Sequence, residues 1–121
     1  MKAETIFLLT GNKFSNAISS WASSRADEVV QVSEKLSDFF DRTDSLLIFN
    51  KNQEITSEIQ EIKTAYDKQQ KPVHKIDING TLMVGVSNLD LWVETNKCRR
   101  ILVLGAEELA ANPNLERYTS N

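Results

Sequence analysis

Four short polar segments carry the residue types that could bind or transform a small molecule. They are Thr10-Gly11-Asn12-Lys13, Asn50-Lys51-Asn52, Asp77-Ile78-Asn79 and Gly105-Ala106-Glu107-Glu108, and each follows an apolar run. A glycine in a turn that leads into a helix presents backbone N–H groups at the helix N-terminus, where the dipole favours an anion, and Lys13 adds a positive charge. That is chemistry for a phosphate. A single glycine in such a turn is also common on steric grounds alone, so the bland alternative is a plain chain reversal. Neither G-x-G-x-x-G nor G-x-x-x-x-G-K-[ST] occurs in the chain, so no dinucleotide fingerprint or P-loop is read. Glu107 and Glu108 would repel a phosphate placed beside them, yet carboxylates after a strand suit ribose hydroxyls as acceptors. The two segments thus divide one nucleotide-like ligand between them; the alternative places both glutamates in the first turn of a solvated helix.

Acid–base catalysis needs a poised group, and Glu107, Glu108, Asp77 and Asp90 are the clustered candidates, without forming a named motif. His74, the one histidine, falls inside an apolar run and reads as a packed or edge histidine rather than a proton carrier. One histidine and one cysteine do not make a zinc site, so neither a metal nor a cofactor is expected. Cys98 stands between Lys97 and Arg99-Arg100, neighbours that lower a thiol pKa, but it has no C-x-x-C context and reads as structural. The three cations suit a helix C-terminus, and Trp21 and Trp92 fall on apolar helix faces as core residues.

These segments must be positioned by the elements between them. Apolar runs and amphipathic stretches alternate along the chain without repeats or linkers, which predicts βαβ units around a mostly parallel sheet. Strands are expected at about 4–10, 28–33, 45–50 and 100–105. Phe14, Ile18, Trp21 and Ala22 share one face of a helix that Asn12 caps. Leu36, Phe39 and Phe40 form the buried stripe of a short helix. Ile55, Ile59, Ile62 and Tyr66 mark another, with the capping-box pattern Ser57-x-x-Gln60 at its start and Lys71-Pro72 beyond its end. Leu89, Trp92 and Val93 mark a third, and Asn112 caps a terminal turn that opens with Pro113. Between residues 73 and 86 the pattern is open: Asn79-Gly80 flanked by apolar runs fits a two-residue β-hairpin as well as a strand followed by a loop. The fold class is α/β, one Rossmann-like three-layer domain over residues 1–121, with about five strands and helices on both faces.

Composition narrows the partners. With 40% hydrophobic and 26% charged residues, four Gly and two Pro, the chain has an ordinary globular balance. A formal charge of −3 argues against nucleic acid, whose binders concentrate positive charge. No run has the apolar length to span a bilayer, and the apolar stretch in MKAETIFLLT is too short for a signal peptide, so no membrane partner and a cytoplasmic location are expected.

The segments DRTDSLLIFN, EITSEIQEI, KPVHKIDI and WVETNKCRRILVLGAEELAANPNLERY succeed one another as an Asp and a strand, a Thr-containing helix start, a Lys-Pro strand, and a Trp-containing helix leading to a strand and a Gly-bearing loop. Over residues 41–118 this order resembles the molybdenum cofactor carrier-like proteins of the SLOG superfamily of Rossmann-like nucleotide-binding domains. The family's glycine-rich signature falls here on Leu9-Thr10-Gly11-Asn12-Lys13 alone, and its asparagine-rich loop is replaced by Leu104-Gly105-Ala106-Glu107. The resemblance implies a nucleotide or phosphorylated-cofactor binder and allows a homo-oligomer. Members that cleave N-glycosidic bonds resemble one another by a P-G-G-x-G-T-x-x-E loop, which this chain lacks. The expectation is therefore a domain that carries, senses or sequesters a nucleotide-derived ligand without turning it over. Thr10, Gly11, Asn12 and Lys13 would hold phosphate, Asn50 and Thr56 would shape the wall, and the Gly105 loop would bring Glu107 or Glu108 to ribose. An N-glycosidase using Glu107 or Glu108, and a non-catalytic protein-interaction domain, are the alternatives.

Overall fold

A computed structural model describes residues 1–120. Among them, β1 (Ala3–Leu9) leads through α1 (Lys13–Ala17) and α2 (Ser19–Arg25) to β2 (Ala26–Val32), and α3 (Leu36–Phe39) leads on to β3 (Ser45–Asn50). Then follow α4 (Ser57–Lys68), β4 (Val73–Asp77), α5 (Leu82–Asn96), β5 (Arg100–Gly105) and α6 (Pro113–Thr119), with 3-10 turns at Phe40–Arg42 and Glu107–Ala111. The five strands form one sheet in the order β2-β1-β5-β3-β4, and every pairing is parallel.

Successive side chains of a strand point to opposite faces, and here both faces are apolar. Leu47 and Phe49 of β3 join Ile6, Leu8, Ile101 and Val103 in one core, while Leu46 and Ile48 join Phe7, Leu102 and Leu104 in the other. All six residues of β3 are buried, as a strand covered on both faces requires. The first core is closed by α1, α2, α5 and α6 through Phe14, Ile18, Trp21, Leu89, Leu115 and Tyr118. The second is closed by α3 and α4 through Phe39, Ile59 and Tyr66. The result is a Rossmann-like three-layer α/β domain.

The crossovers follow one hand. Steps from β1 to β2 and from β4 to β5 move one way across the sheet and carry their helices on the first face; steps from β2 to β3 and from β3 to β4 move the other way and carry theirs on the second. Strand order therefore reverses between β1 and β3, and β5 fills the gap.

Four expectations are corrected. The first helix breaks at Ile18 (φ −103°, ψ 6°) into α1 and α2, although Phe14, Ile18, Trp21 and Ala22 all stay on the buried side. Thr56, not Ser57, caps α4, its Oγ1 accepting the Ile59 N–H at 3.2 Å. Residues 73–86 do not form a hairpin. A type I′ turn needs positive φ at both central residues, and neither Asn79 nor Gly80 has it. Instead Asp77 Oδ1 accepts the Asn79 N–H at 2.9 Å, an Asx turn that lets the chain leave the sheet and enter α5. The second apolar run thus becomes a helix under α6. Gly85 permits that contact, because a Cβ there would lie 2.8 Å from Tyr118 Cε1. In the short α3, Phe39 is buried but Leu36 is 40% exposed, so the expected stripe is incomplete.

Candidate functional site

The site begins with two residues that bring α1 against the end of β5. Gly11 has φ +71° and open space around it, so its role is the left-handed turn after β1. Gly105 is different: a Cβ on it would lie 2.5 Å from the buried ring of Phe14. Its lack of a side chain seats α1 directly on the last residue of β5. Thr10 anchors the turn by donating its N–H to the Val32 carbonyl at 2.8 Å, and Asn12 caps α1 by accepting the Ser15 N–H at 3.0 Å.

This seating brings Glu107 to the Gly11 turn across 94 residues of sequence: its Oε2 accepts the Lys13 N–H at 3.0 Å. The carboxylate thus sits at the helix end where a phosphate was expected, and takes a donor such an anion would use. The segments after β1 and β5 do face one cleft, but the protein supplies its own anion there.

The cleft is a groove of ≈ 610 Å³ running over the carboxyl ends of β1 and β5 and the start of α4. Leu9, Leu104, Ile59 and Ile62 give it an apolar side. Glu34, Glu58, Glu61 and Glu107 give it four carboxylates, and no lysine or arginine is among the described residues that line it. Like charges around a concave, partly apolar wall reinforce one another, so the groove attracts cations and hydrogen-bond donors and repels anions.

Of the residues singled out from the sequence, Asn12, Thr56, Gly105 and Glu107 line this groove. Asn50 and Glu108 line a smaller adjoining cavity that shares Ile59 and Ala106 with it. Thr10 and Gly11 shape the turn, and Lys13 contributes its backbone N–H. Glu34, Glu58 and Glu61 were missed. Glu34 follows β2, a strand end that apolar patterning left aside, and Glu58 and Glu61 lie on successive turns at the start of α4.

The acid–base candidates away from the groove are occupied. Asp77 Oδ2 accepts the Gln53 N–H at 3.0 Å, and Asp90 pairs with the Met1 ammonium at 2.8 Å. His74 stacks on Trp92 with ring centroids 5.3 Å apart, and burial pushes its imidazole pKa down. Burial pushes the Cys98 thiol up, against the effect expected of the flanking cations, while the N–H groups of Arg99 and Arg100 bind Asp44. Among the described residues no three His, Cys, Asp or Glu converge to hold a metal ion, and no helix is long and apolar enough to cross a membrane.

Fold and groove together define an α/β domain with a concave acidic site at the point where its sheet reverses. Comparison of the chain with protein-family models, with curated proteins and with solved structures gave no match.

Proposed function

We propose that this domain binds a nucleotide-derived small molecule in the groove, through the nucleoside portion rather than the phosphate, and carries, senses or sequesters it without turning it over. The observation that carries the reading is the place of the groove: it lies at the carboxyl ends of β1 and β5, where the strand order reverses and open α/β sheets bind their ligands. Its ≈ 610 Å³ is within the range of small-molecule sites. The apolar side formed by Leu9, Leu104, Ile59 and Ile62 suits a planar ring, and Glu58, Glu61 and Glu107 suit hydroxyl or amino hydrogens. Binding without turnover is supported by the engagement of Asp77 and Asp90 in structural contacts. A homo-oligomer belongs to the same proposal, since α5 exposes Met83, Val84 and Leu91; a monomer in sedimentation at high protein concentration would remove that part.

A thermal-shift panel of nucleosides and their 5′-monophosphates tests the binding, because a ligand that prefers the folded state raises its stability. Nucleosides are expected to stabilise more than their monophosphates. Glu107→Gln, which removes one negative charge beside the α1 end, should narrow that difference. Silence across the panel refutes the reading, and recovery of free base after long incubation would replace binding by hydrolysis.

A further inference from the structure

Asn50 is the last residue of β3 and is 2% exposed. Its backbone carbonyl accepts the Ile78 N–H at 2.8 Å, yet both carboxamide atoms, Oδ1 and Nδ2, lack a hydrogen-bond partner among the described residues. Buried polar groups in folded proteins are nearly always paired, and leaving one unmade is costly. The other residues at the end of this strand are apolar, so nothing about packing asks for an amide here.

Asn50 is among the residues that line a chamber of ≈ 10 Å³, room for about one water molecule. Glu54 and Glu108 line it too, and Ile59 and Ala106 separate it from the large groove by standing in the wall of both. Its remaining wall includes Lys51 and Ile55, the ends of a loop in which Asn52 (φ 54°) and Gln53 (φ 66°) are successive non-glycine residues in the left-handed region. Such conformations are unfavourable and persist where neighbours enforce them. The Gln53 N–H donates to Asp77 Oδ2 at 3.0 Å, and Asn79 Nδ2 donates to Asn52 Oδ1 at 2.9 Å. An unpaired amide and a strained loop meet at one place.

We propose that Asn50 is a ligand-reading residue and that the 51–55 loop is the cover over it. A carboxamide offers one donor and one acceptor side by side, so its complement is a planar edge that offers an acceptor and a donor. The amino edge of an adenine-type base has this pattern, as does a primary carboxamide. Glu54 and Glu108 select for amino hydrogens and against a phosphate or carboxylate. Because the chamber holds only about one water and Ile59 stands between it and the groove, the loop must lift and the Ile59 side chain must turn aside for the edge to enter. This inference rests on the groove as the binding site and adds which end of the ligand is read, and by what.

Asn50→Leu in the full chain is the test, with Asn50→Asp as a second variant of nearly unchanged size. Removing an unpaired buried amide should leave the melting temperature of Asn50→Leu equal to or above that of the wild type. Adenosine should bind the wild type and bind Asn50→Leu at least about tenfold more weakly by calorimetry, and nicotinamide replaces adenosine in this result if the carboxamide is the source. Purine riboside, which lacks the exocyclic amine, and methyl nicotinate, which lacks the amide, should lose most of that affinity on the wild type. Equal affinity of wild type and both variants overturns the inference and leaves the groove standing, with a trapped water as the partner of Asn50. Failure of the wild type to bind either adenosine or nicotinamide also overturns it; the groove reading falls only if the whole nucleoside panel is silent.

Discussion

Replacing Gly105 with alanine probes how α1 and the end of β5 come to share one surface. A Cβ on Gly105 would lie 2.5 Å from Phe14 Cε1 and 2.7 Å from both Cδ1 and Cζ, where carbon atoms in contact settle at about 3.5–4.0 Å. Phe14 is fully buried and packs on Phe49 with ring centroids 5.6 Å apart, so it cannot yield without opening the core. Overpacking of this kind costs about 1–3 kcal/mol. For a chain of this length each kcal/mol lowers the melting temperature by about 4 °C, which gives a loss of about 4–12 °C. Phe14→Leu removes the obstructing ring at a cost of its own. The double variant should therefore be more stable than the sum of the singles, by about 1 kcal/mol or more, in a cycle measured by chemical denaturation. In Gly105→Ala the Lys13 amide should also lose protection from hydrogen exchange as α1 moves off Glu107. Wild-type stability for Gly105→Ala, or strict additivity with Phe14→Leu, refutes the claim that this glycine exists to admit Phe14.

Two further predictions concern pH. Burial pushes the Tyr66 hydroxyl up to about 12 from its ordinary 10.0, despite the lowering effect of its hydrogen bond with Thr43, with Asp44 adding to the rise. The unfolded chain releases this proton near pH 10 and the folded one near 12, so the contribution is intact below 10 and lost as pH rises through 12. It amounts to about 2–3 kcal/mol. Tyr66→Phe should show a shallower alkaline decline in denaturation midpoints, and an unchanged decline contradicts the assignment. Burial lowers the His74 pKa, so its contribution is present above 6.5 and lost as pH falls through the folded value, when the unfolded chain has already taken up the proton. His74→Phe, which keeps a ring against Trp92, should soften the acid limb of the stability profile; an identical limb would assign acid unfolding to the carboxylates alone.

The central strands were legible because both their faces are buried. Residues 46–49 and 101–104 are continuous apolar runs flanked by Ser45 and Asn50 and by Arg100 and Gly105, and the structure ends β3 and β5 at those flanking residues. Asn112-Pro113 likewise stands at the start of α6, with Asn112 Oδ1 accepting the Asn114 N–H. Legibility failed where a distant contact decides. The Asn79-Gly80 pair reads locally as a hairpin turn, but Tyr118, 38 residues on from Gly80, puts its hydroxyl within reach of the carbonyls of Asp77 and Gly80 and packs over Gly85, holding the following run as a helix. The site shows the same division. Strand ends and the glycines located the cleft, whereas the acidity of the groove arises from Glu34 after β2, Glu58 and Glu61 of α4, and Glu107 after β5, three regions of the chain that meet only once it has folded.

The order β2-β1-β5-β3-β4 has a consequence for how the chain is made. During synthesis β1 can pair with β2 and β3 with β4 as soon as each pair has emerged, but β1 and β3 have no pairing with each other. Only β5, the last of the five in the chain, joins them. A nascent chain halted before residue 100 holds two strand pairs, each with one apolar inner edge open to solvent, and no shared core. The outer pairs come first, and the sheet closes at its middle in a single late event. Ribosome-bound chains should accordingly gain protease resistance in one step after residues 100–105 have cleared the exit tunnel, rather than in stages.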